Sequence, residues 1–172
     1  YHPILKKNNI PDDFKYLCVA ESNMENVVSP AGATGFWQFM EEAGEKYGLE
    51  INSLVDERYD VWKSTEAACK YLKDSYEMFG TWTLSAASYN MGQDGITLQI
   101  ERQKAKDYFN LVINSETSRF VARIVALKYM LQNPETYGFD IKADEKYKPL
   151  EYYEIKLDSS VSNFPDYAKS YE

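Results

Sequence analysis

The sequence predicts a mainly α-helical domain that ends in a short C-terminal extended or β segment. Three observations predict it. Apolar residues recur at helical spacing in several windows between residues 12 and 132, glycine or proline stands where those windows stop, and two-residue alternation appears only beyond Gly138. One domain over 1–140 and an extension over 141–172 follow, because 172 residues with 44% hydrophobic content bury one sizeable core and strain the size range of two.

Pro11 and Asp12 signal the first helix, over 12–23, with Phe14, Leu17 and Cys18 on its apolar face. After the loop VVSPAGA, helical character resumes over 34–47 and stops at Gly48, a residue suited to the left-handed position that ends many helices. Ser64 is expected to cap a third helix through Phe79, with Glu66 in its favourable first turn and Gly80 closing it. Its face uses Ala68, Tyr71, Leu72 and Phe79. The small residues Ser85, Ala86, Ala87 and Ser88 predict a short helix over 82–89, packed closely against its neighbours before Gly92. A further helix is expected over 96–103. The last runs over 117–132, with Phe120, Ile124, Leu127 and Leu131 on one stripe and Pro134 just beyond. In the tail, Tyr153, Ile155 and Leu157 alternate with Glu154 and Lys156 as in a half-buried strand, which either packs on the helices or leads to a further domain.

The formal net charge of −8, from 27 acidic and 19 basic residues, argues against a nucleic-acid partner, whose phosphates require the opposite footprint. No apolar run approaches the roughly 18 residues of a membrane span, and the start YHPILKKNN lacks the regions of a signal peptide. A chain trimmed at both ends, with any export signal removed, is expected. Cys18 and Cys69 match no metal-ligand spacing and the single histidine, His2, sits near a terminus, so no metal site is expected. Cys18 stands among Leu17, Val19 and Ala20, and Cys69 follows Ala67 and Ala68. Both read as buried free thiols in preference to a disulfide, which sequence leaves open.

Helical arithmetic puts Glu21 one turn beyond Leu17 and Cys18 and two beyond Phe14, at the last buried position of an otherwise apolar face. Burial and the negative end of its own helix dipole both disfavour the carboxylate, so both raise the pKa. A carboxyl that keeps its proton near neutrality suits general acid cleavage of a glycoside, where the leaving oxygen must receive a proton. Periodicity by itself favours the other reading, a glutamate that rotates into solvent or meets a lysine or arginine.

The stretches AES, SPAGATGFWQFM, EKYGL, DERYD, STEAACKYL, SYNMG and ETSRFV occur in this order over roughly residues 10 to 140. Together they resemble the lytic transglycosylase family of the goose-type lysozyme fold, the SLT domains, and look closest to its membrane-bound D-type branch. The resemblance implies a lysozyme-like helical fold and makes Glu21, beside Ser22, the single catalytic carboxyl. It implies cleavage of the β-1,4 bond between N-acetylmuramic acid and N-acetylglucosamine without water. The muramic acid's own hydroxymethyl oxygen attacks and leaves a 1,6-anhydro product. One carboxyl serving as acid and then base differs from the usual carboxylate pair of glycosidases.

The same resemblance implies substrate contacts for Ser29, Gln38, Tyr89, Asn90 and Glu116. Ser29 to Met40 corresponds to a glycine-bearing loop and helix start lining the cleft, where Gly32 and Gly35 let backbone approach sugar. Gln38 corresponds to a substrate ligand near Glu21, although an exposed helix glutamine is an equal reading of the residue alone. Trp37 is open between sugar stacking and core, and Phe39 reads as core. Tyr89 and Asn90 are expected beside the catalytic carboxyl and the substrate's N-acetyl group, yet Asn90 and Gly92 also suit a helix end. Glu116 corresponds to a supporting acid in the cleft and also suits a first helical turn. Phe120 stands where many relatives carry a tyrosine, Met24 replaces a usual aromatic, and the stretch from Glu21 to Ser29 is one residue shorter than the common spacing. The contacts of Ser29 are the ones this shortening touches. An exported, periplasm-facing or outer-membrane-associated monomer is implied, attached to membrane only through a lipid anchor outside this chain. Its partner would be peptidoglycan glycan strands, with no cofactor. Two other functions stay open: a lysozyme-like muramidase, in which water captures the cationic centre, and a non-catalytic peptidoglycan-binding module.

Overall fold

The computed structural model describes residues 2–147 and 155–171. The chain divides into two compact units, Tyr1–Phe139 and Asp140–Glu172. The first unit contains α1 (His2–Lys7), α2 (Lys15–Ser22), α3 (Glu41–Lys46), α4 (Val61–Phe79), α5 (Trp82–Met91), α6 (Gln93–Gln103) and α7 (Thr117–Gln132). Single 3-10 turns at Asp12–Phe14, Glu57–Tyr59, Tyr108–Asn110 and Pro134–Tyr137 join or extend them.

The central helix is α4. Asp60 caps it by accepting from the Trp62 and Lys63 N–H groups at 2.8 and 3.0 Å, and Gly80 ends it at φ 73°. Ser64, the expected cap, lies one turn inside and donates its hydroxyl to the Asp60 carbonyl instead. The buried face of α4 presents Ala67, Ala68, Cys69 and Leu72 to the core, and α4 packs on both α5 and α1. In α5 five consecutive residues from Leu84 to Ser88 are buried. Their small side chains let α4, α6 and α7 all approach this one short helix. Leu84, Ala87, Ile96, Tyr108 and Leu111 form a smaller cluster on its far side.

Helix α7 spans the residues that periodicity predicts, with Phe120 and Ile124 buried, while Leu131 at the end of the stripe is exposed. The sequence misses α1 and starts α6 three residues late. Its helix over 34–47 contracts to α3. Thr34 bridges to Val28 on one side and Phe39 on the other, and Gly35 and Gln38 take φ of 80° and 51°, values that interrupt a right-handed helix. Cys18 and Cys69 are buried free thiols.

The second unit contains a 3-10 turn at Ala143–Glu145 and α8 (Phe164–Lys169), where the Asn163 side chain accepts from the Asp166 N–H. The expected strand over 153–157 lies partly outside the described residues. Its described part, 155–157, is exposed and carries no strand.

Candidate active site

Glu21 occupies the last turn of α2, before Asn23 and Met24 turn the chain out of the helix at φ 52° and 64°. The helix packs against α7, and the charges of Glu116 at the start of that helix and Arg123 within it act on Glu21. The Glu21 Oε1 atom is buried without a hydrogen-bond partner. Burial is the main force that raises this carboxyl from 4.5 to about 7. The Arg123 charge opposes the rise and the Glu116 charge adds to it. Near neutrality a side chain in this state is divided between its protonated and ionised forms, so both are within reach.

The chain after α2 is pinned from three helices. The Phe36 carbonyl accepts the Ser22 hydroxyl at 2.8 Å and the Cys18 thiol at 3.2 Å, both from α2. The Trp37 indole N–H donates to Thr65 Oγ1 of α4 at 2.8 Å. The Trp37 carbonyl accepts the Tyr89 hydroxyl of α5, also at 2.8 Å. Trp37 and Phe39 are both buried, and their rings meet Tyr89 edge-on. Trp37 is therefore core, not a sugar platform.

Arg58 holds the outer side of this loop. Its guanidinium is buried and doubly bonded to Asp56, and Nη1 donates to the Gly32 and Phe39 carbonyls at 3.3 Å. Its own carbonyl sits where a Cβ on Gly35 would fall, 2.0 Å away. The DERYD stretch thus shapes the loop from behind.

Within the loop, the Ser29 hydroxyl accepts from the Ala33 N–H at 3.0 Å, closing a turn. Gln38 donates from Nε2 to the Val27 and Gly35 carbonyls at 3.0 and 2.8 Å. Gln38 is thus a loop residue with a left-handed backbone and not a residue of a helix face. Among the described residues, neither side chain hydrogen-bonds to Glu21, Tyr89, Asn90 or Glu116.

Those four belong to the junction of α2, α5 and α7. Asn90, near the end of α5, donates from Nδ2 to Glu116 Oε1 at 3.0 Å, and its Oδ1 accepts from the Thr117 hydroxyl at 2.7 Å. Burial, reinforced by the Glu21 charge, holds the Tyr89 phenol well above its ordinary range, so it acts as a neutral donor. The Tyr71 ring lies 5.0 Å from that of Tyr89, and its hydroxyl donates to the Ser88 carbonyl.

Sequence reasoning missed Arg123, Thr117, Thr65 and Arg58. Arg123 had a signal, since it follows Glu116 by seven residues and two helical turns return it to the same side of α7. Among the described residues, no group of three histidine, cysteine, aspartate or glutamate side chains gathers as metal ligands would.

Comparison with known proteins bears on this arrangement. Residues 3–112 match the family model described as the transglycosylase SLT domain. The chain is 32% identical over 152 residues to a membrane-bound lytic murein transglycosylase D of Escherichia coli (strain K12), a match that covers 85% of this chain and 34% of that protein. The protein of the same name from Escherichia coli O6:H1 matches with the same identity and coverage. The chain spans about a third of the length of these curated relatives. The family model reaches from α1 to the segment before Glu116 and so includes the helix that carries Glu21, the pinned loop and α5. This chain belongs to the transglycosylase SLT domain family.

Proposed function

We propose that residues 1–140 form a catalytic domain that cleaves the β-1,4 bond between N-acetylmuramic acid and N-acetylglucosamine in peptidoglycan and leaves a 1,6-anhydro-N-acetylmuramic acid end. The observation that carries this reading is the Glu21 carboxyl, with one buried oxygen lacking any hydrogen-bond partner and a pKa raised to about 7. The names of the relatives, lytic murein transglycosylases, support the same substrate.

In this reading the protonated Glu21 gives its proton to the glycosidic oxygen as the bond from C1 of the muramic acid breaks. The substrate's own acetamide oxygen stabilises the positive charge at C1. The Glu21 carboxylate then takes the proton from the C6 hydroxyl while O6 bonds to C1. The carboxyl returns to its starting state and no water is consumed. Glu116, through its charge and its bond to Asn90, favours the protonated start, and Arg123 favours the ionised midpoint. Ser29, Gln38, Tyr89, Asn90 and Glu116 would border the bound glycan. Tyr89 and Gln38 contribute chiefly by fixing the loop backbone, since their hydrogen bonds run to carbonyls of that loop. We place the protein on the periplasmic side, as a monomer acting on the cell wall. Among the described residues no helix is long and apolar enough to cross a membrane.

Mass spectrometry of digested peptidoglycan tests the proposal. Anhydromuropeptides, one water lighter than hydrolytic products, are expected. Reducing ends alone would establish a muramidase, and an absence of cleavage together with retained glycan affinity would establish a binding module.

A further inference from the structure

A cavity of about 440 Å³ lies along α4 on the side that faces α1, and its lining includes none of the residues of the Glu21 junction. That volume is within the usual range for small-ligand sites. Trp62, Glu66 and Lys70 form its α4 wall. They follow one another at four-residue steps, so they run along one side of the helix over about 12 Å. Ile4 and Leu49 add apolar surface, and the Trp62 side chain is 39% exposed to the cavity and solvent.

The charges on the wall are not evenly satisfied. Lys63 pairs with Glu57, whose other oxygen accepts from the Glu50 N–H. Glu66 pairs with Lys7 at 3.5 Å and accepts from the Asn8 side chain at 2.8 Å. Lys70 differs. Its ammonium donates to the Tyr47 carbonyl at 3.1 Å, and among the described residues no carboxylate lies within ion-pair distance of it. Gly48 leaves open the space beside it, since a Cβ there would come within 3.3 Å of the Lys70 nitrogen. The carbonyl tether fixes the position of the ammonium and leaves two of its three N–H donors available. The cavity wall therefore carries a held cation, an indole two helical turns before it on α4, and apolar surface beside them. In a chain of net charge −8, such a cation selects a local carboxylate and not a polyanion.

We propose that this cavity binds the peptide stem attached to peptidoglycan glycan strands, with a stem carboxylate on Lys70 and the aliphatic part of the peptide against Trp62 and Ile4. Stem peptides combine free carboxylates with short apolar side chains, and four extended residues reach about 13 Å, which matches the length of the wall. The proposal rests on the peptidoglycan reading of the domain and adds to it a site that recognises peptide-bearing strands apart from the bond that is cut.

The test uses the whole chain and a soluble synthetic stem tetrapeptide with free carboxylates, titrated by calorimetry and by amide chemical shifts. Binding is expected, with shifts concentrated at residues 47–49 and 62–70. Amidation of the peptide carboxylates, Lys70→Gln or Trp62→Ala should each weaken binding at least fivefold. Lys70→Gln should still cut glycan strands stripped of peptide at the parent rate, and Glu21→Gln should bind the tetrapeptide as the parent does. No binding, or binding indifferent to both Lys70→Gln and peptide amidation, overturns the proposal; Lys70→Gln and the amidated peptide keep the test decisive should Trp62→Ala not fold. The two readings also fail separately. Anhydro products without stem binding remove this site alone, whereas stem binding without anhydro products removes the transglycosylase reading alone.

Discussion

Asn90 and Glu116 are joined side chain to side chain at 3.0 Å, across the junction between the end of α5 and the start of α7. The amide cannot turn over without losing two bonds, because its oxygen accepts from the buried Thr117 hydroxyl at 2.7 Å while its nitrogen serves the carboxylate. This clasp holds a negative charge where it acts on Glu21.

Replacing Asn90 by aspartate puts a second carboxylate against Glu116 and removes the donor. Asn90→Asp should cost about 1–3 kcal/mol of stability at neutral pH, with the loss shrinking as the pH falls through the carboxylate range. Chemical denaturation at pH 7.5 and pH 4 measures both numbers, and an equal loss at the two values would contradict the clasp.

Activity should depend on pH through Glu21. General acid catalysis needs the proton, so kcat/KM should fall about tenfold per pH unit above the Glu21 pKa of about 7. Glu116→Gln removes a charge that raises this pKa and should move the alkaline limb to lower pH. Arg123→Gln removes a charge that lowers it and should move the limb to higher pH. Profiles of the three proteins on purified peptidoglycan check the order. Glu21→Gln should lose on the order of 10² to 10⁴ in rate across the whole range.

The same carboxyl links stability to pH with the opposite sign from most acids. Between 4.5 and about 7 the unfolded chain releases the Glu21 proton and the native state keeps it, so the native state binds more protons and stability falls as pH rises. Glu21→Gln removes this penalty. At pH 8 the variant should exceed the parent by about 1–3 kcal/mol relative to their difference at pH 4, the full shift being discounted for partial solvent access. Melting curves at the two pH values decide it.

The loop predicts a severe backbone mutant. At Gly35, φ is 80° and a Cβ would lie 2.0 Å from the Arg58 carbonyl oxygen. Gly35→Ala should therefore cost about 3 kcal/mol or more, through both left-handed strain and a backbone clash. Gly32→Ala, where the same space is open, should cost about 1 kcal/mol. Similar stabilities for the two variants would show that Arg58 does not brace the loop.

A milder change tests the tie between α5 and the loop. Tyr89→Phe keeps the ring contacts with Trp37, Phe39 and Tyr71 but leaves the Trp37 carbonyl without the hydroxyl donor. A loss of about 1–2 kcal/mol is expected. Hydrogen exchange should quicken at residues 34–40 and leave α7 unchanged.

By itself the sequence determined the elements whose signals are local: α7 over Thr117–Gln132, the close of α4 at Gly80, and an acid at the end of an apolar helix face in α2. It also carried the motif order by which the family is legible. Apolar spacing and turn residues report which face of a segment is buried and where the segment stops, and they do so without reference to distant parts of the chain. Only the tertiary structure decided that residues 34–40 form a pinned loop, that Asp60 and not Ser64 caps α4, and that Trp37 is core. These outcomes depend on partners far along the chain. Thr65 and Tyr89 hold Trp37 from α4 and α5, and Arg58 fills the space against Gly35. The proton affinity of Glu21 has the same origin, because burial by packed helices, and the charges of Arg123 and Glu116 from another helix, set it together. Local pattern placed the carboxyl at the end of its helix; only the packing around it decided that one of its oxygens would be buried without a partner.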